Sequence, residues 1–351
     1  MSFVGMLETI VRNASAFIYG GIQKSWAWAH SADLLHSESS PIPVISVGAI
    51  AIGGSGKTPL TMFLAGKLFQ MGFKPVVCSR GYKGSYTGSY ELVSDGISDH
   101  PLVSSEVCGD EPYLMACHLK GIPVIVGRKR IDAIRAAIRL FDSNVAILDD
   151  GFQHLCLRRD LNLVLLGCKT DSMFPSGSLR EPFGALERAD VVLLDGAPDD
   201  LPPEARKHIN EKPVFFSWQE PDCITHGLQE VEIQAEFLRG KEVALLSAIA
   251  NPARFRDMAE QLGWRVVHHD RFDDHQRLSD AELSHVISMA KDLPIVVTEK
   301  DWVKTPTWFR EMPLTYALRI RVGIGEESAF WKLVLASIGR HESEQQKDTD
   351  N

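Results

Sequence analysis

The residues best suited by type and spacing to a chemical role form a glycine-rich segment, Gly53-Gly54-Ser55-Gly56-Lys57-Thr58. This segment follows the apolar run Pro43 to Ile52 and precedes an apolar stretch that starts at Leu60. A strand, a glycine-rich turn and a helix N-terminus would aim backbone N–H groups and the positive end of a helix dipole at one point, which suits a phosphate. Lys57 would reach the β- and γ-phosphates of a nucleotide, and the Thr58 hydroxyl would bind the accompanying Mg²⁺.

The segment departs from the P-loop pattern G-x-x-x-x-G-K-[ST] at one position, because the chain has Ala51 where the pattern has glycine. The predicted nucleotide-binding residues are Ala51, Ile52, Gly53, Gly54, Ser55, Gly56, Lys57 and Thr58. The alternative is a glycine-rich turn that contains an incidental lysine.

Two carboxylates, Asp149 and Asp150, end a second apolar run, Val145 to Leu148. In P-loop enzymes a carboxylate at this point holds Mg²⁺ directly or through water. The next residues, Gly151 to His154, add polar groups at the carboxyl end of a strand, where ligands bind in open α/β sheets. We therefore predict a magnesium site that contains Thr58, Asp149 and Asp150; the alternative is a pair that caps the next turn.

Two further acidic segments are weaker candidates. Asp110 and Glu111 open a helical pattern, so, taken alone, they are more typical of a helix N-terminus than of a catalytic site. Asp273-Asp274-His275 follows a predicted strand, and a histidine beside a carboxylate is a common acid/base pairing. Taken alone, His275 is more typical of a surface histidine.

Arginines follow predicted strands or lie in loops in three segments: Ser79 to Tyr82, Gly127 to Arg130 and Leu179 to Pro182. The planar guanidinium group suits phosphate. Taken singly, each of these arginines is by default interpreted as a solvated loop residue.

The predicted elements around these residues alternate between strand and helix, which predicts an α/β fold with a parallel sheet. The first group of predicted elements comprises strands at 43–47, 74–78, 123–126, 145–148, 161–166 and 191–194 and helices at 58–70 and 129–141. The stretch from Gly81 to Ser105 reads as an irregular or hairpin excursion outside the core.

A second strand and helix alternation begins at Val243, and the runs 214–218 and 314–322 flank it. These two runs predict a two-stranded linker that returns the chain to the first domain, with a hinge. We predict a P-loop kinase domain at 1–220, to which the C-terminal segment 312–340 returns, a smaller α/β domain at 222–311, and a disordered tail at 341–351.

Composition narrows the class of protein. The 351 residues include 44% hydrophobic residues, typical of a globular chain of two domains, and a formal net charge of -9 argues against nucleic-acid binding. Six cysteines without a C-x-x-C spacing fit a reducing cytoplasm and predict buried, inert thiols: Cys78, Cys108, Cys117, Cys156, Cys168 and Cys223.

The N-terminus carries an apolar stripe at helical spacing: Phe3, Leu7, Ile10, Val11, Ala14, Phe17, Ile18 and Ile22. Glu8 and Arg12 interrupt the segment, and each charge near the centre of a membrane span costs about 2.5 to 3.5 kcal/mol. The pattern therefore favours a helix that lies on a membrane surface over one that spans it. The alternative is a helix docked on its own domain.

The order of the motifs closely resembles the tetraacyldisaccharide 4'-kinase family, the lipid A 4'-kinases of Gram-negative bacteria. The motifs that carry the resemblance are the P-loop, Ser79 to Tyr82, Gly109 to Pro112, Asp149 to His154, Leu179 to Pro182, Asp274-His275 and Thr298-Glu299-Lys300-Asp301. They span roughly residues 43 to 304, and the family also commonly lacks glycine at the position of Ala51.

This resemblance implies transfer of the γ-phosphate of ATP to the 4'-hydroxyl of an acylated disaccharide 1-phosphate, giving lipid IVA, at the cytoplasmic face of the inner membrane. It implies catalytic roles for Lys57, with Asp110 as general base paired to His275. It also implies ATP and Mg²⁺ as cofactors and peripheral membrane contact through the N-terminal helix. We assign the remaining motif residues to the substrate: Arg80, Glu111, His154, Arg180 and Glu181.

Two rival functions remain open at this point. Thr298 to Asp301 superficially resembles the guanine-reading [NT]-K-x-D motif of GTP-binding switches and metallochaperones, although Glu299 displaces the lysine by one place. A soluble small-molecule P-loop kinase is the other rival, and its N-terminal stripe would pack internally.

Overall fold

The computed structural model describes residues 3–32, 34–167, 172–196, 201–227 and 231–349. Within these residues, thirteen strands form one sheet in the order β11-β10-β12-β13-β8-β7-β6-β1-β5-β2-β4-β3, with β9 paired to β8. The strands up to β7 are β1 (Val44–Ala49), β2 (Pro75–Ser79), β3 (Glu91–Ser94), β4 (Val124–Val126), β5 (Val145–Leu148), β6 (Leu161–Gly167) and β7 (Val191–Asp195). The accompanying helices are α1 (Phe3–Ser31), α2 (Lys57–Gln70), α3 (Ser105–Cys108), α4 (Asp110–His118), α5 (Arg130–Phe141) and α6 (Pro203–Ile209).

The later elements repeat the alternation. Their strands are β8 (Val214–His226), β9 (Val231–Gln234), β10 (Glu242–Ser247), β11 (Arg265–Arg271), β12 (Ile295–Thr298) and β13 (Thr315–Ile324). Their helices are α7 (Pro252–Gln261), α8 (Asp280–Ala290), α9 (Glu299–Trp302), α10 (Thr307–Arg310) and α11 (Glu327–Thr349). Short 3₁₀ helices lie at Phe183–Arg188 and Ala235–Leu238.

Parallel pairing in the first half of the sheet places the P-loop beside the two carboxylates. Strand β1 pairs in parallel with β5, with Ile45 opposite Ile147, and on its other side with β6. Because parallel strands end at the same edge of a sheet, the turn after β1 and the residues after β5 lie next to each other. Alternate side chains of these buried strands enter two cores, one covered by α2 and the other by α5.

Strands β8 and β13 form an antiparallel ribbon that joins the two halves of the sheet. Strand β8 also pairs with β7, and β13 pairs with β12, so the ribbon belongs to both halves. After the ribbon, α11 returns to the first core, where Phe330, Trp331 and Val334 are buried. The two-stranded linker is therefore present, and it is a continuous part of one sheet.

Local signals explain where the helices of the second half begin. Pro252 occupies the first turn of α7, and the Asn251 side chain accepts a hydrogen bond from the Arg254 N–H. Ser279 and Glu282 form a reciprocal capping box at the start of α8.

Three predictions differ from the structure. Part of the stretch 81–105 forms β3, which pairs antiparallel with β4 at the edge of the sheet and buries Val93. The strand is not predicted because a short strand in a Gly- and Ser-rich stretch has only a weak apolar pattern. Residues 341–349 continue α11, whose apolar face is anchored on the first core, so this part of the predicted tail is helical; the last two residues lie outside the described part. Cys156 is exposed and Cys117 and Cys223 are half-buried, although Cys78 and Cys108 are buried as predicted, and Cys168 lies outside the described residues.

Candidate active site

The turn between β1 and α2 is a nucleotide-binding loop in geometry as well as in sequence. Gly53 and Gly56 have φ values of 98° and 83°, which side chains with a Cβ rarely adopt. Gly56 is the N-cap of α2, so the first turn of that helix presents free N–H groups to the loop. The Lys57 ammonium lies 3.2 Å from Ser55 Oγ and 3.6 Å from Asp150 Oδ1. The loop therefore combines N–H donors with a cation, as binding of a triphosphate requires.

A second segment anchors the residues that lead into this loop. The Ile52 N–H donates to the Ser178 carbonyl at 2.7 Å, and the Arg180 N–H donates to the Ile50 carbonyl at 2.7 Å. Ala51 pairs with Leu179 in a short antiparallel bridge. The absence of glycine at position 51 thus coincides with extended, paired backbone.

Asp149 and Asp150 follow β5 and have opposite electrostatic environments. Asp149 is buried and accepts hydrogen bonds from the hydroxyls of Thr61 and Ser79, each at 3.3 Å. Burial, reinforced by the nearby Glu111 and Asp150 carboxylates, raises the pKa of Asp149 to about 7. Burial opposes ionisation of Asp150 too, but Lys57 and Arg180 outweigh it and hold the pKa of Asp150 below its ordinary value. Arg180 Nη1 donates to Asp150 Oδ2 at 2.7 Å.

The raised pKa of Asp149 predicts a stability effect with a definite sign. An unfolded aspartate titrates near pH 4, so between about pH 4 and about pH 7 the folded state retains a proton that the unfolded state has lost. The free energy of unfolding therefore falls as pH rises through this window, by roughly 2 to 4 kcal/mol. We expect Asp149→Asn to raise the Tm of the nucleotide-free protein at pH 8 and to lose this advantage near pH 4. Thermal unfolding across this pH range checks it.

Asp95 provides a control of opposite sign for this measurement. Its carboxylate accepts backbone hydrogen bonds from Ser98 and Ile97, which hold the pKa of Asp95 below its ordinary value. Asp95→Asn should therefore lower the Tm at pH 8, and the deficit should persist down to about pH 4 and fade only as the pH falls below the ordinary value toward the lowered pKa of Asp95. An Asp149→Asn advantage of equal size at both ends of the range would contradict the assignment.

The predicted magnesium residues suit a hard cation. Thr58 is buried at the start of α2, and Asp150 Oδ1 is a buried oxygen without a hydrogen-bond donor among the described residues. Within the described part of the chain there is no group of three or more His, Cys, Asp or Glu side chains arranged to hold a metal. Since protein-bound Mg²⁺ commonly uses one or two carboxylates together with substrate phosphates, this ligand set fits a metal that arrives with the nucleotide.

The loop after Asp150 packs onto β1 through the buried side chain of Phe152. A Cβ at Gly48 would overlap Phe152, so glycine is required for this close approach. Gln153 Nε2 donates to the Ala49 carbonyl at 3.0 Å and to Glu181 Oε1 at 2.9 Å. His154 is half-buried, and burial, reinforced by Arg130, lowers its pKa to about 4. His154 is therefore neutral at physiological pH.

Glu181 does not face the open cleft. It is buried, and Arg188 Nη2 contacts both of its oxygens at 2.9 and 2.7 Å. The ion pair and the Gln153 amide occupy the carboxylate, which argues against the direct substrate contact predicted for Glu181. Its position instead stabilises Gln153 and, through it, the end of β1.

Two arginines near this site differ in burial. Arg80 follows β2 and its side chain is exposed, as a substrate-binding arginine requires. Arg130, which opens α5, is buried and donates to the Gly127 carbonyl at 3.1 Å. The sequence of the segment Gly127 to Arg130 does not distinguish Arg130 from its neighbours, because its burial near Asp149 depends on packing between distant strands.

Helix α4 brings Asp110 and Glu111 against the second half of the sheet. His275 Nδ1 lies 3.6 Å from Asp110 Oδ2, and Arg277 Nη2 lies 3.4 Å from Asp110 Oδ1. Burial raises the pKa of Asp110, but His275, Lys304 and Arg277 outweigh it and hold the pKa below its ordinary value. The predicted pair of Asp110 and His275 is thus close in space across 165 residues, with Asp110 ionised.

Side chains of the quartet Thr298 to Asp301 are held by contacts within the protein, so the quartet does not present a guanine-binding arrangement. Asp301 Oδ2 accepts hydrogen bonds from the Ala248 N–H at 3.0 Å and from Thr298 Oγ1 at 2.7 Å. Glu299 Oε1 lies 3.0 Å from both His118 Nε2 and Arg319 Nε. The quartet therefore ties α9 to its own half of the sheet and to α4.

The second half also covers the P-loop. A Cβ at Gly56 would overlap the Gln219 side-chain amide, and one at Gly53 would lie 3.5 Å from Ala250 Cβ. Arg254 of α7 forms an ion pair with Asp195 at the end of β7. The P-loop and the Asp110 site therefore line one cleft between the two halves.

Helix α1 docks by one side and exposes the other. Arg12 Nη2 donates to the Pro175 carbonyl at 3.1 Å, Ser176 Oγ donates to Asn13 Oδ1 at 2.8 Å, and Tyr19 stacks edge-on against Phe174. Phe17, Ile18 and Ile22 are 84%, 62% and 60% exposed. The first residues of the predicted stripe, Phe3 to Val11, have side chains outside the described part. Among the described residues no helix carries an apolar stretch sufficient to cross a membrane.

The sheet order, the glycine-rich turn and the carboxylates of the neighbouring strand together define a P-loop phosphotransferase. A family model described as tetraacyldisaccharide-1-P 4'-kinase matches residues 10–339 of the chain. The chain belongs to the tetraacyldisaccharide 4'-kinase family.

Individual relatives agree with this membership. A tetraacyldisaccharide 4'-kinase of Desulfotalea psychrophila is 36% identical over 91% of this chain and 93% of its own length. One from an Azoarcus species is 37% identical over 82% of this chain and 81% of its own length. A crystal structure of LpxK from Aquifex aeolicus in complex with ATP superposes with a TM-score of 0.76 at 31% identity, covering 93% of this chain and 98% of that chain. The predicted α/β P-loop class and family are confirmed, and a GTP-binding switch is not favoured.

Proposed function

We propose that this protein transfers the γ-phosphate of ATP to the 4'-hydroxyl of a tetraacyldisaccharide 1-phosphate, the acylated disaccharide precursor of lipid A, giving lipid IVA. The observation that carries this proposal is the family match over residues 10–339, which includes both the P-loop and the Asp110 and His275 pair. Glu111, next to Asp110, is close enough to Asp149 to help raise its pKa, which supports a short distance between the two sites, as transfer from a nucleotide to an acceptor alcohol requires.

The residues of the cleft have separate roles in phosphoryl transfer. The N–H groups at the start of α2 and the Lys57 ammonium hold the terminal phosphates and stabilise the charge that spreads over the transferred group. Thr58, Asp149 and Asp150 would hold Mg²⁺, which would supply positive charge to neutralise the phosphate oxygens. The sugar oxygen attacks the γ-phosphorus, the bond to the bridging oxygen breaks, and ADP leaves.

Asp110 serves as the general base in this scheme. It accepts the proton of the 4'-hydroxyl, and His275 stabilises the carboxylate in the orientation that the acceptor needs. Arg80, which is exposed at the end of β2, supplies a contact to the phosphate of the substrate. Arg180 is paired with Asp150 and would act on the same side as the nucleotide.

We infer a division into a P-loop domain at 1–220 with the returning segment 312–340, and a smaller domain at 222–311. The ribbon of β8 and β13 is the hinge between them, because it is the element that both halves share. Release of ADP and product then requires opening of the cleft at this ribbon.

The direct test is phosphorylation of a tetraacylated disaccharide 1-phosphate by the purified chain. We expect phosphate transfer to the 4'-position with ATP and Mg²⁺, with ATP preferred over GTP. No transfer to this acceptor, with transfer to a water-soluble alcohol instead, would support the soluble small-molecule kinase. A preference for GTP would support the switch.

The exposed face of α1 supports peripheral contact with the cytoplasmic face of the inner membrane, where an acylated substrate must be met. We expect the triple variant Phe17→Ser, Ile18→Ser, Ile22→Ser to reduce binding to anionic phospholipid vesicles by roughly 10²-fold, because each half-immersed apolar side chain contributes about 1 kcal/mol. Vesicle co-sedimentation measures the change.

A matched control replaces three exposed apolar residues elsewhere. Ile97, Leu102 and Leu140 are exposed away from α1, so serine at these positions should leave vesicle binding unchanged. The α1 triple variant should also retain its turnover of detergent-dispersed substrate. Equal vesicle binding by both triple variants would show that the exposed face of α1 does not contribute to membrane binding.

A further inference from the structure

Lys300 is the member of the quartet Thr298 to Asp301 that faces the cleft. Thr298 caps α9, and its hydroxyl and Asp301 bond to each other, so the backbone that carries Lys300 is rigid. Asp301 is held in turn by the Ala248 N–H and by Lys304 at 2.7 Å. The Lys300 side chain thus projects from a fixed point on the second half of the sheet toward α4.

The Lys300 ammonium lies among three polar side chains. It is 3.1 Å from Glu111 Oε1, 3.3 Å from His275 Nε2 and 3.9 Å from Asp274 Oδ1. Glu111 belongs to α4 directly beside Asp110, so this contact also joins the two halves of the sheet. Lys300 therefore touches the imidazole on the side opposite to the one that faces Asp110.

The chemistry of an ammonium group determines which imidazole nitrogen carries the proton. A lysine ammonium has three N–H donors and no acceptor, so the contact at 3.3 Å requires His275 Nε2 to accept. The proton of the neutral ring then resides on Nδ1, which points toward Asp110 Oδ2 at 3.6 Å. Asp274 Oδ2 would demand the opposite tautomer, but at 3.8 Å it is farther from Nε2 than the ammonium is.

We propose that Lys300 is a positioning residue for phosphoryl transfer, which holds His275 in the tautomer with its proton on Nδ1, directed at the Asp110 carboxylate. This inference rests on the proposed function for its effect on turnover. In this arrangement the imidazole N–H orients Asp110, and Asp110 alone takes the proton of the acceptor hydroxyl. Without Lys300, the ring can adopt the tautomer with its proton on Nε2. The Nδ1 lone pair then faces the Asp110 carboxylate, which repels it.

Kinetics of Lys300→Met and Lys300→Arg test the inference. We expect Lys300→Met to lower kcat by up to about 10²-fold with an unchanged KM for ATP, since a misplaced catalytic group costs this much. Lys300→Arg should restore most of the turnover, because guanidinium is also a pure donor. Lys74→Met, which removes an exposed ion pair with Asp142, is the matched control and should match the wild type.

A double-mutant cycle shows whether Lys300 acts through His275. In the His275→Ala background, Lys300→Met should cause no further loss of kcat, whereas independent roles would multiply their effects. Multiplied losses, or a Lys300→Met variant with wild-type kcat, would overturn the proposal.

Ring ¹⁵N NMR provides a readout that does not depend on the reaction. The His275 signals are assigned by their loss in His275→Ala. We expect the Nδ1–H tautomer in the wild type and in Lys300→Arg, and an increased Nε2–H population in Lys300→Met. A wild-type ring with its proton on Nε2 would refute the inference even if the kinase activity is present. A wild type that fails to phosphorylate the disaccharide but shows the Nδ1–H tautomer would overturn the proposed function and leave the positioning contact established.

Discussion

Lys57→Ala is expected to lower kcat/KM for ATP-dependent phosphorylation by about 10²- to 10³-fold, the loss typical when one donor that stabilises the transition state is removed. The Lys57 ammonium is the cation at the base of the P-loop, 3.2 Å from Ser55 Oγ and 3.6 Å from Asp150 Oδ1. In phosphoryl transfer the protein contributes charge and position rather than covalent chemistry, so the loss of this cation directly removes part of the stabilisation of the transition state. Initial rates over a range of ATP concentrations measure the effect.

Lys67→Ala is the control for this variant, because it lies on the same helix. Its ammonium is exposed and 3.7 Å from Glu327, and a surface ion pair of this kind contributes about 0 to 1 kcal/mol. Activity should therefore be retained in Lys67→Ala. A Lys57→Ala enzyme that kept more than a tenth of wild-type kcat/KM would contradict the assigned role of the P-loop.

The second large effect is expected for Asp110→Asn. The substitution preserves the shape of the side chain and removes its ability to take a proton, so kcat should fall by about 10²- to 10⁴-fold. The affinity for ATP should change little, since Asp110 lies on α4 opposite the nucleotide loop. Because His275, Lys304 and Arg277 together outweigh burial and keep the pKa of Asp110 below its ordinary value, the wild-type carboxylate is ready to accept the proton at neutral pH.

Asp273→Asn is the matched control for the general base. Asp273 is an exposed acidic residue two places before His275, and its removal tests whether general loss of negative charge near the cleft matters. Single-turnover kinetics with enzyme in excess separate the chemical step from ADP release. A loss that appeared only in KM for ATP would show that Asp110 supports binding rather than proton transfer.

The parts of the fold that were predictable are those in which local pattern and tertiary structure agree. Strands β1 and β5 are short apolar runs buried on both faces, and the glycine-rich turn that follows β1 tolerates few other sequences. The neighbouring position of Asp149 follows from the rule that parallel strands end at one edge. Strand β3 was missed because an edge strand of four residues has little apolar pattern of its own.

The environment of each site residue was not predictable, because it depends on contacts between distant parts of the chain. Glu181 and Arg180 are neighbours in sequence, yet their environments differ. The Glu181 carboxylate is buried against Arg188, whereas the Arg180 guanidinium pairs with Asp150. Lys300 meets Glu111 across 189 residues, which no local pattern encodes. The order of the motifs points to these residues only through family resemblance. The packing of α4 against α9 explains why they lie close together in the fold.

The docking of α1 has a mechanical consequence for catalysis. The helix contacts Pro175 and Ser176, Met173 pairs with Leu179, and Leu179 pairs with Ala51 immediately before the P-loop. A continuous series of contacts therefore runs from the exposed helix to the loop that would hold the nucleotide. For an enzyme adsorbed through α1, this series would connect the membrane contact to the nucleotide loop, so that the orientation of the adsorbed helix would also orient the donor phosphate relative to the lipid headgroups.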